Sequence, residues 1–142
     1  MTEVDNKSIY LRFAAAVNQR NLNALDPLVA PDWINHGADP QEPPGAERFK
    51  RIFAHFITAC PDFHITVEDQ LAEGDKVMVR WRDTGTHTAG PLLGVSATGK
   101  VIVLTGIDVL RITNGQIVER WSESDQLYLL QTLGRIPGEA EA

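Results

Sequence analysis

The dipeptide Asn114-Gly115 constrains the fold of this chain more than any other feature. Both residues tolerate positive φ, which a two-residue hairpin turn needs at both of its positions. The flanks alternate apolar and polar, from Val101 to Ile112 before the turn and from Gln116 to about Ser124 after it. The dipeptide therefore predicts two long antiparallel strands. Two further alternating stretches precede them, Phe63 to Ala72 and Lys76 to His87, joined by the turn residues Glu73-Gly74-Asp75. Thr88 to Gly99, rich in Gly, Pro and small residues, reads as a loop and a candidate pocket lid.

Helical spacing dominates the first sixty residues or so. Ile9, Tyr10, Phe13, Ala14 and Val17 form one face of a helix over Asn6–Asn18, with Asp5 or Asn6 as its N-cap. Leu22, Leu25, Leu28 and Val29 mark a shorter helix over Asn21–Val29, disturbed by Pro27 and broken at Pro31. Trp33 to His36 reads as a short strand or an extended lead-in to a loop. Residues Gly37 to Gly45 hold three prolines and form that loop. Phe49, Ile52, Phe53, Phe56 and Ile57 make the apolar stripe of a helix over Ala46–Ala59, ended by Cys60-Pro61-Asp62. A closing helix is expected from Asp125 to Leu133, with the tail Pro137–Ala142 frayed. Helices first and strands after predict one α+β domain over residues 1–142, with the helices on one face of a curved antiparallel sheet.

Composition narrows the function. A chain of 142 residues can bury a core without metals or disulfides. Its net charge of −6, with no run of Lys and Arg longer than two, lacks a nucleic-acid footprint. The single cysteine, Cys60, fits a reducing compartment and reads as a small buried hydrophobe. No leader and no apolar run of membrane-spanning length is seen, so the chain is expected to be complete and cytoplasmic. Four scattered histidines, His36, His55, His64 and His87, do not make a metal site. No phosphate loop, nucleophile elbow or paired-Cys pattern appears.

Chemistry must then come from residues the fold gathers, and the last hairpin is where they can be placed. With a two-residue turn, Ile112 faces Ile117, Leu110 faces Glu119, Asp108 faces Trp121, Gly106 faces Glu123 and Leu104 faces Asp125. These ten share one sheet face unless a bulge shifts the register. Four carboxylates, Asp108, Glu119, Glu123 and Asp125, then lie among apolar side chains, where burial favours the neutral acid and suits it to proton transfer. The opposite face carries Val103, Thr105, Ile107, Val109 and Val118 with Arg111, Arg120, Ser122 and Ser124. Its apolar middle predicts a homodimer or higher homo-oligomer. Each acid also has a plainer reading. Asp125 suits the N-cap of the closing helix. Asp108 suits a structural ion pair with an arginine as well as it suits a pocket acid.

The chain resembles the SnoaL-like polyketide cyclases over nearly its whole length. Pro31 to Asn35 resembles that family's Pro-Asp, aromatic, aliphatic, Asn motif. Asp108 to Ile112 followed by Asn114 to Val118 resembles its penultimate strand, turn and last strand. Asp125, eight residues before Leu133-Gly134, matches its catalytic aspartate and Leu-Gly ending. The resemblance implies a cone-shaped α+β barrel with a pocket between the concave sheet and the helices. It implies ring closure by intramolecular aldol condensation on a small apolar or polycarbonyl ligand, without metal or cofactor. It implies Asp125 as acid/base and Asn35 as a pocket residue; Asp108 stands where the family has a histidine. Trp33, His36, Phe53, Leu104, Trp121 and Glu123 are expected around the substrate. Limonene-type epoxide hydrolases also resemble the chain in layout, with Arg80, Arg82, Asp83, Asp108 and Asp125 as the acids and arginines. There, adjacent Arg82 and Asp83 must point to opposite faces. A non-catalytic binding or dimerisation domain is the third reading.

Overall fold

The computed structural model describes residues 3–38 and 40–136; for residues 3 and 4 only the backbone is described. The expected frayed tail at 137–142 lies outside the described residues. Helix α1 runs Glu3–Asn18, and a 3-10 segment follows at Leu22–Leu28. Strand β1 is Val29–Asn35 and helix α2 is Glu47–Ala59. Then come β2 (His64–Glu73), β3 (Lys76–Thr86), β4 (Val101–Thr113), β5 (Gln116–Ser124) and α3 (Gln126–Thr132).

The five strands form one curved, unclosed sheet in the order β1-β5-β4-β3-β2. The α+β class is as the sequence predicts. The pairing of β2 to β5 is antiparallel, but β1 joins the edge parallel to β5. Two elements differ from expectation. Asp5 and Asn6 lie inside α1 rather than capping it, because the helix begins earlier. The second helix is 3-10, which the ring of Pro27 tolerates better than an α-helix over the same residues. Trp33 to His36 is mostly strand.

Asn114 and Gly115 take φ of 52° and 75° and close the two-residue turn between Thr113 and Gln116. Ile112 pairs with Ile117 as expected. A bulge then inserts one extra residue on β5, so Arg111 pairs with Glu119 and Asp108 with Ser122. Every expected pairing beyond the bulge is therefore off by one, and a one-residue slip exchanges the faces of a strand. Arg120 and Ser122 turn to the concave side with Asp108. Glu119, Trp121 and Glu123 turn away from it.

The core lies between the concave sheet and α1 and α2. Alternation on β3 buries Val77, Val79, Trp81, Asp83 and Gly85 on this side; on β4 it buries Ile102, Asp108, Leu110 and Ile112. Phe13 of α1 meets Phe49 and Phe53 of α2 edge-on at 4.8 and 5.8 Å between ring centroids. Such contacts add to the burial of the rings themselves. Cys60 is buried, as expected, and burial first and Asp62 second push its thiol up to about 11.

Candidate functional site

Between the helices and the concave sheet the core leaves a cavity of about 690 Å³, within the usual range for a small-molecule site. Its apolar walls include Phe13, Phe49, Phe53, Phe56, Leu92 and Leu104. Its polar wall is built from four strands. Asp83 comes from β3, Asp108 from β4, Arg120 and Ser122 from β5, and Asn35 from the end of β1.

Asp108 is the centre of that wall. It is 2% exposed. Its Oδ2 accepts from Arg120 Nε at 2.9 Å, and its Oδ1 accepts from Trp81 Nε1 at 3.0 Å and Ser122 Oγ at 2.6 Å. Both readings offered by the sequence hold together here, since the ion pair faces the cavity. Arg120 also donates to Asn35 Oδ1 at 3.2 Å, and Asn35 Nδ2 donates to Glu42 at 3.1 Å. Glu42 pairs in turn with Arg48. The guanidinium of Arg120 sits over the Phe49 ring, 5.2 Å from its centroid. A buried charge pair with its remaining groups hydrogen-bonded keeps one geometry.

Gly106 makes this wall possible. It pairs with Trp81 across the strands, and a Cβ there would meet Trp81 Cζ2 at 2.3 Å and Glu123 O at 2.8 Å. The missing side chain lets the indole lie across β4 and reach Asp108, which explains a glycine in mid-strand.

Other groups share the space. Tyr10 of α1 lines the cavity; burial first, then the charges of Asp108 and Asp83, hold it well above the ordinary phenol range, so it stays an O–H donor. Asp83 is 5% exposed, and burial first and Asp108 second raise its carboxyl to about 8.

Asn35, Asp108, Phe53, His36, Leu104 and Glu123 all line the cavity. Glu123 does so from an exposed position at the rim. Three expectations need correction. Asp125 does not line the cavity. It is exposed, caps α3 and accepts from Tyr128 N at 3.1 Å. Its backbone N–H bonds Thr105 O rather than setting its side chain opposite Leu104, which pairs with Asp83. Trp121 is turned outward by the bulge and stacks on His36 at 4.7 Å. Trp33 packs behind the wall against Phe49 at 5.1 Å. Arg80 and Arg82 are exposed, so the arginine beside the cavity acids is Arg120. Among the described residues no three His, Cys, Asp or Glu side chains are grouped to hold a metal ion. No helix there is long and apolar enough to cross a membrane.

The family model described as SnoaL-like polyketide cyclase matches residues 7–133. The chain belongs to that family. Among solved structures, TsrD from Streptomyces laurentii is similar at 26% identity and a TM-score of 0.84, over 96% of this chain and 99% of that one. IdmH from Streptomyces antibioticus, assigned as a polyketide cyclase, is 31% identical with a TM-score of 0.75, over 91% and 98% of the two chains. AclR from Streptomyces galilaeus, assigned as a hydroxylase, is 26% identical with a TM-score of 0.82, over 97% and 86%. No curated protein matches the chain. Within the SnoaL-like frame, the polar wall of this member's cavity centres on an aspartate–arginine pair.

Proposed function

We propose that this protein is a cyclase-type acid/base enzyme. It takes a small, apolar, enolisable polycarbonyl ligand into the concave cavity and closes a ring by intramolecular aldol condensation. The carrying observation is the Asp108–Arg120 pair set in an otherwise aromatic cavity. An aldol closure needs a base, donors for an enolate oxygen and a dry space that folds the substrate back on itself. Arg120 on the sheet and Tyr10 on α1 are donors at the cavity, and the phenylalanines supply the dry surface. The reading needs no cofactor, and it places the protein in the cytoplasm as a single domain. It also carries a homodimer through the convex face, where Val101 and Ile107 are 63% and 46% exposed. Elution as a monomer at micromolar concentration overturns that part. Incubation with linear aromatic-precursor polyketones, followed by mass-neutral conversion on chromatography, tests the reaction. Unchanged substrate across several chain lengths counts against it.

One observation favours a second reading. Asp83 and Asp108 line one cavity with Arg120, a set able to hold a water and open an epoxide. Diol formation from a small apolar epoxide, with no turnover of polyketones, would favour it over the cyclase.

A further inference from the structure

The two cavity acids are treated differently by the fold. Asp108 receives three hydrogen bonds, from Trp81, Ser122 and Arg120. Asp83, on the neighbouring strand, has a buried Oδ1 with no hydrogen-bond partner among the described residues. A buried polar atom left without a partner costs stability, and a carboxylate oxygen so left on a cavity wall is free to bond a ligand there. A leucine would fill the same place at no such cost. Asp83 lies on the cavity wall, beside apolar Leu104 and within the field of the ion pair.

We infer that Asp83 is the catalytic acid/base of this cavity, the group that takes the carbon-bound proton and later returns it to oxygen. Asp108 is then a positioning residue that fixes Arg120. The inference rests on the cyclase-type reading and names its proton carrier. The ionised Asp83 carboxylate takes a proton from the carbon between two carbonyls of the substrate. That C–H bond breaks and its electron pair becomes an enolate, whose oxygen has Arg120 and Tyr10 as donors. The enolate carbon bonds to a second carbonyl carbon of the same molecule, and the electron pair of that C=O becomes an alkoxide. The proton on Asp83 passes to the alkoxide. Product and substrate are isomers, Asp83 is again a carboxylate, and no other reagent is consumed.

One carboxyl can do both tasks only if both forms are populated near neutral pH. The surroundings of Asp83 supply this. Asp108 on β4 opposes its ionisation; Arg120 on β5 is committed to Asp108 and Asn35. Tyr10 on α1 stays a phenol, and Arg48 and His55 on α2 line the same cavity.

The test uses the intact protein and 2-tetralone, an apolar ketone with enolisable C1 protons. Exchange of those protons in D2O is followed by NMR, and the Asp83 side-chain carbon is titrated separately by carbon-13 NMR. The expected result is faster exchange with the wild-type protein than in buffer, rising with pH to a midpoint near 8. Asp83→Asn should lose about 100-fold or more of that exchange. Wild-type exchange that survives in Asp83→Asn overturns the role of Asp83 and leaves the cyclase reading standing. Loss in Asp125→Asn with Asp83→Asn unaffected transfers the role to Asp125 and overturns the inference. No exchange by the wild-type protein overturns the enolisation reading itself. An Asp83 carbon titrating in the ordinary carboxyl range overturns the inference whether or not the variants fold.

Discussion

The β4–β5 hairpin carries an arginine–carboxylate cluster on each face, and the two have little in common beyond their chemistry. On the convex face Arg111 bridges Asp75 at 2.8 Å and Glu119 at 3.0 Å, and His36 meets Glu119 at 2.7 Å. These side chains are open to water: Arg111 is 34% exposed and Asp75 49%. On the concave face Arg120 and Asp108 are 12% and 4% exposed. Water screens the first cluster, so its members act nearly independently. The second is shielded between the sheet and the helices and faces a largely aromatic cavity, so each member depends on the others and perturbs its neighbours. Glu119, bonded by His36 and Arg111, sits below the usual carboxylate range. Asp83, with no donor and a carboxylate nearby, sits far above it. Solvent access, more than the number of charges, separates a structural cluster from one able to move protons.

The sharpest way to break this contrast is Arg120→Ala. It leaves Asp108 buried without its cation, and a loss of about 3–5 kcal/mol is expected in urea unfolding. Next comes Asp83→Asn, read against pH. The folded-state value of Asp83 is raised from 3.8 to about 8, so the folded protein binds the extra proton. Wild-type stability therefore falls as pH rises through that window, by up to about 1.4 kcal/mol per pH unit from this group. The variant should lose that slope and outlast the wild type at pH 8 more than at pH 5. Gly106→Ala forces the Trp81 ring off its seat and should cost about 1–3 kcal/mol, with altered indole fluorescence as the accompanying sign. Asp125→Ala removes the α3 cap and should cost about 1 kcal/mol, seen as faster amide exchange at Tyr128. The smallest effect belongs to Arg111→Ala on the convex face, whose unfolding midpoint should stay close to wild type at moderate salt. A large loss there would erase the distinction between the two faces.

The element order was legible because periodicity reports it directly. Asn114-Gly115 placed the last hairpin, and the apolar spacing of Phe49 and Phe53 placed α2. The site was legible only in part. Asp108 and Asn35 reach the cavity because inward faces follow alternation along a strand, and Phe53 because it lies on the apolar stripe of α2. Trp121 and Arg120 were assigned to the wrong faces because nothing at Val118 marks a bulge. Its side chain suits a regular strand, and the register is set by tertiary packing. Asp125 looked catalytic because its place near the chain end matches a family motif. A helix cap and a pocket acid call for the same residue type there. Asp83 carries a signal beyond its place in the epoxide-hydrolase resemblance. It continues the inward series Val77, Val79, Trp81, and an acid on a face that is otherwise apolar marks either strain or chemistry.

The extra residue on β5 gives the hairpin something like a reading frame. Between the turn and the bulge, Ile112 and Ile117 are in one frame; beyond it, Arg120 and Ser122 are in another. Removing one residue between Ile117 and Arg120 would not shorten the sheet much. It would remove the bulge and keep Arg120 opposite Leu110 and Ser122 opposite Asp108, whereas pairing all the same residues without a bulge would present Glu119, Trp121 and Glu123 to the interior in place of the guanidinium and the hydroxyl. The cavity of this protein is thus encoded as much by a count of residues as by their identity. A relative that lost the bulge without losing a residue would acquire a different interior while keeping every strand, the turn and the helices over them.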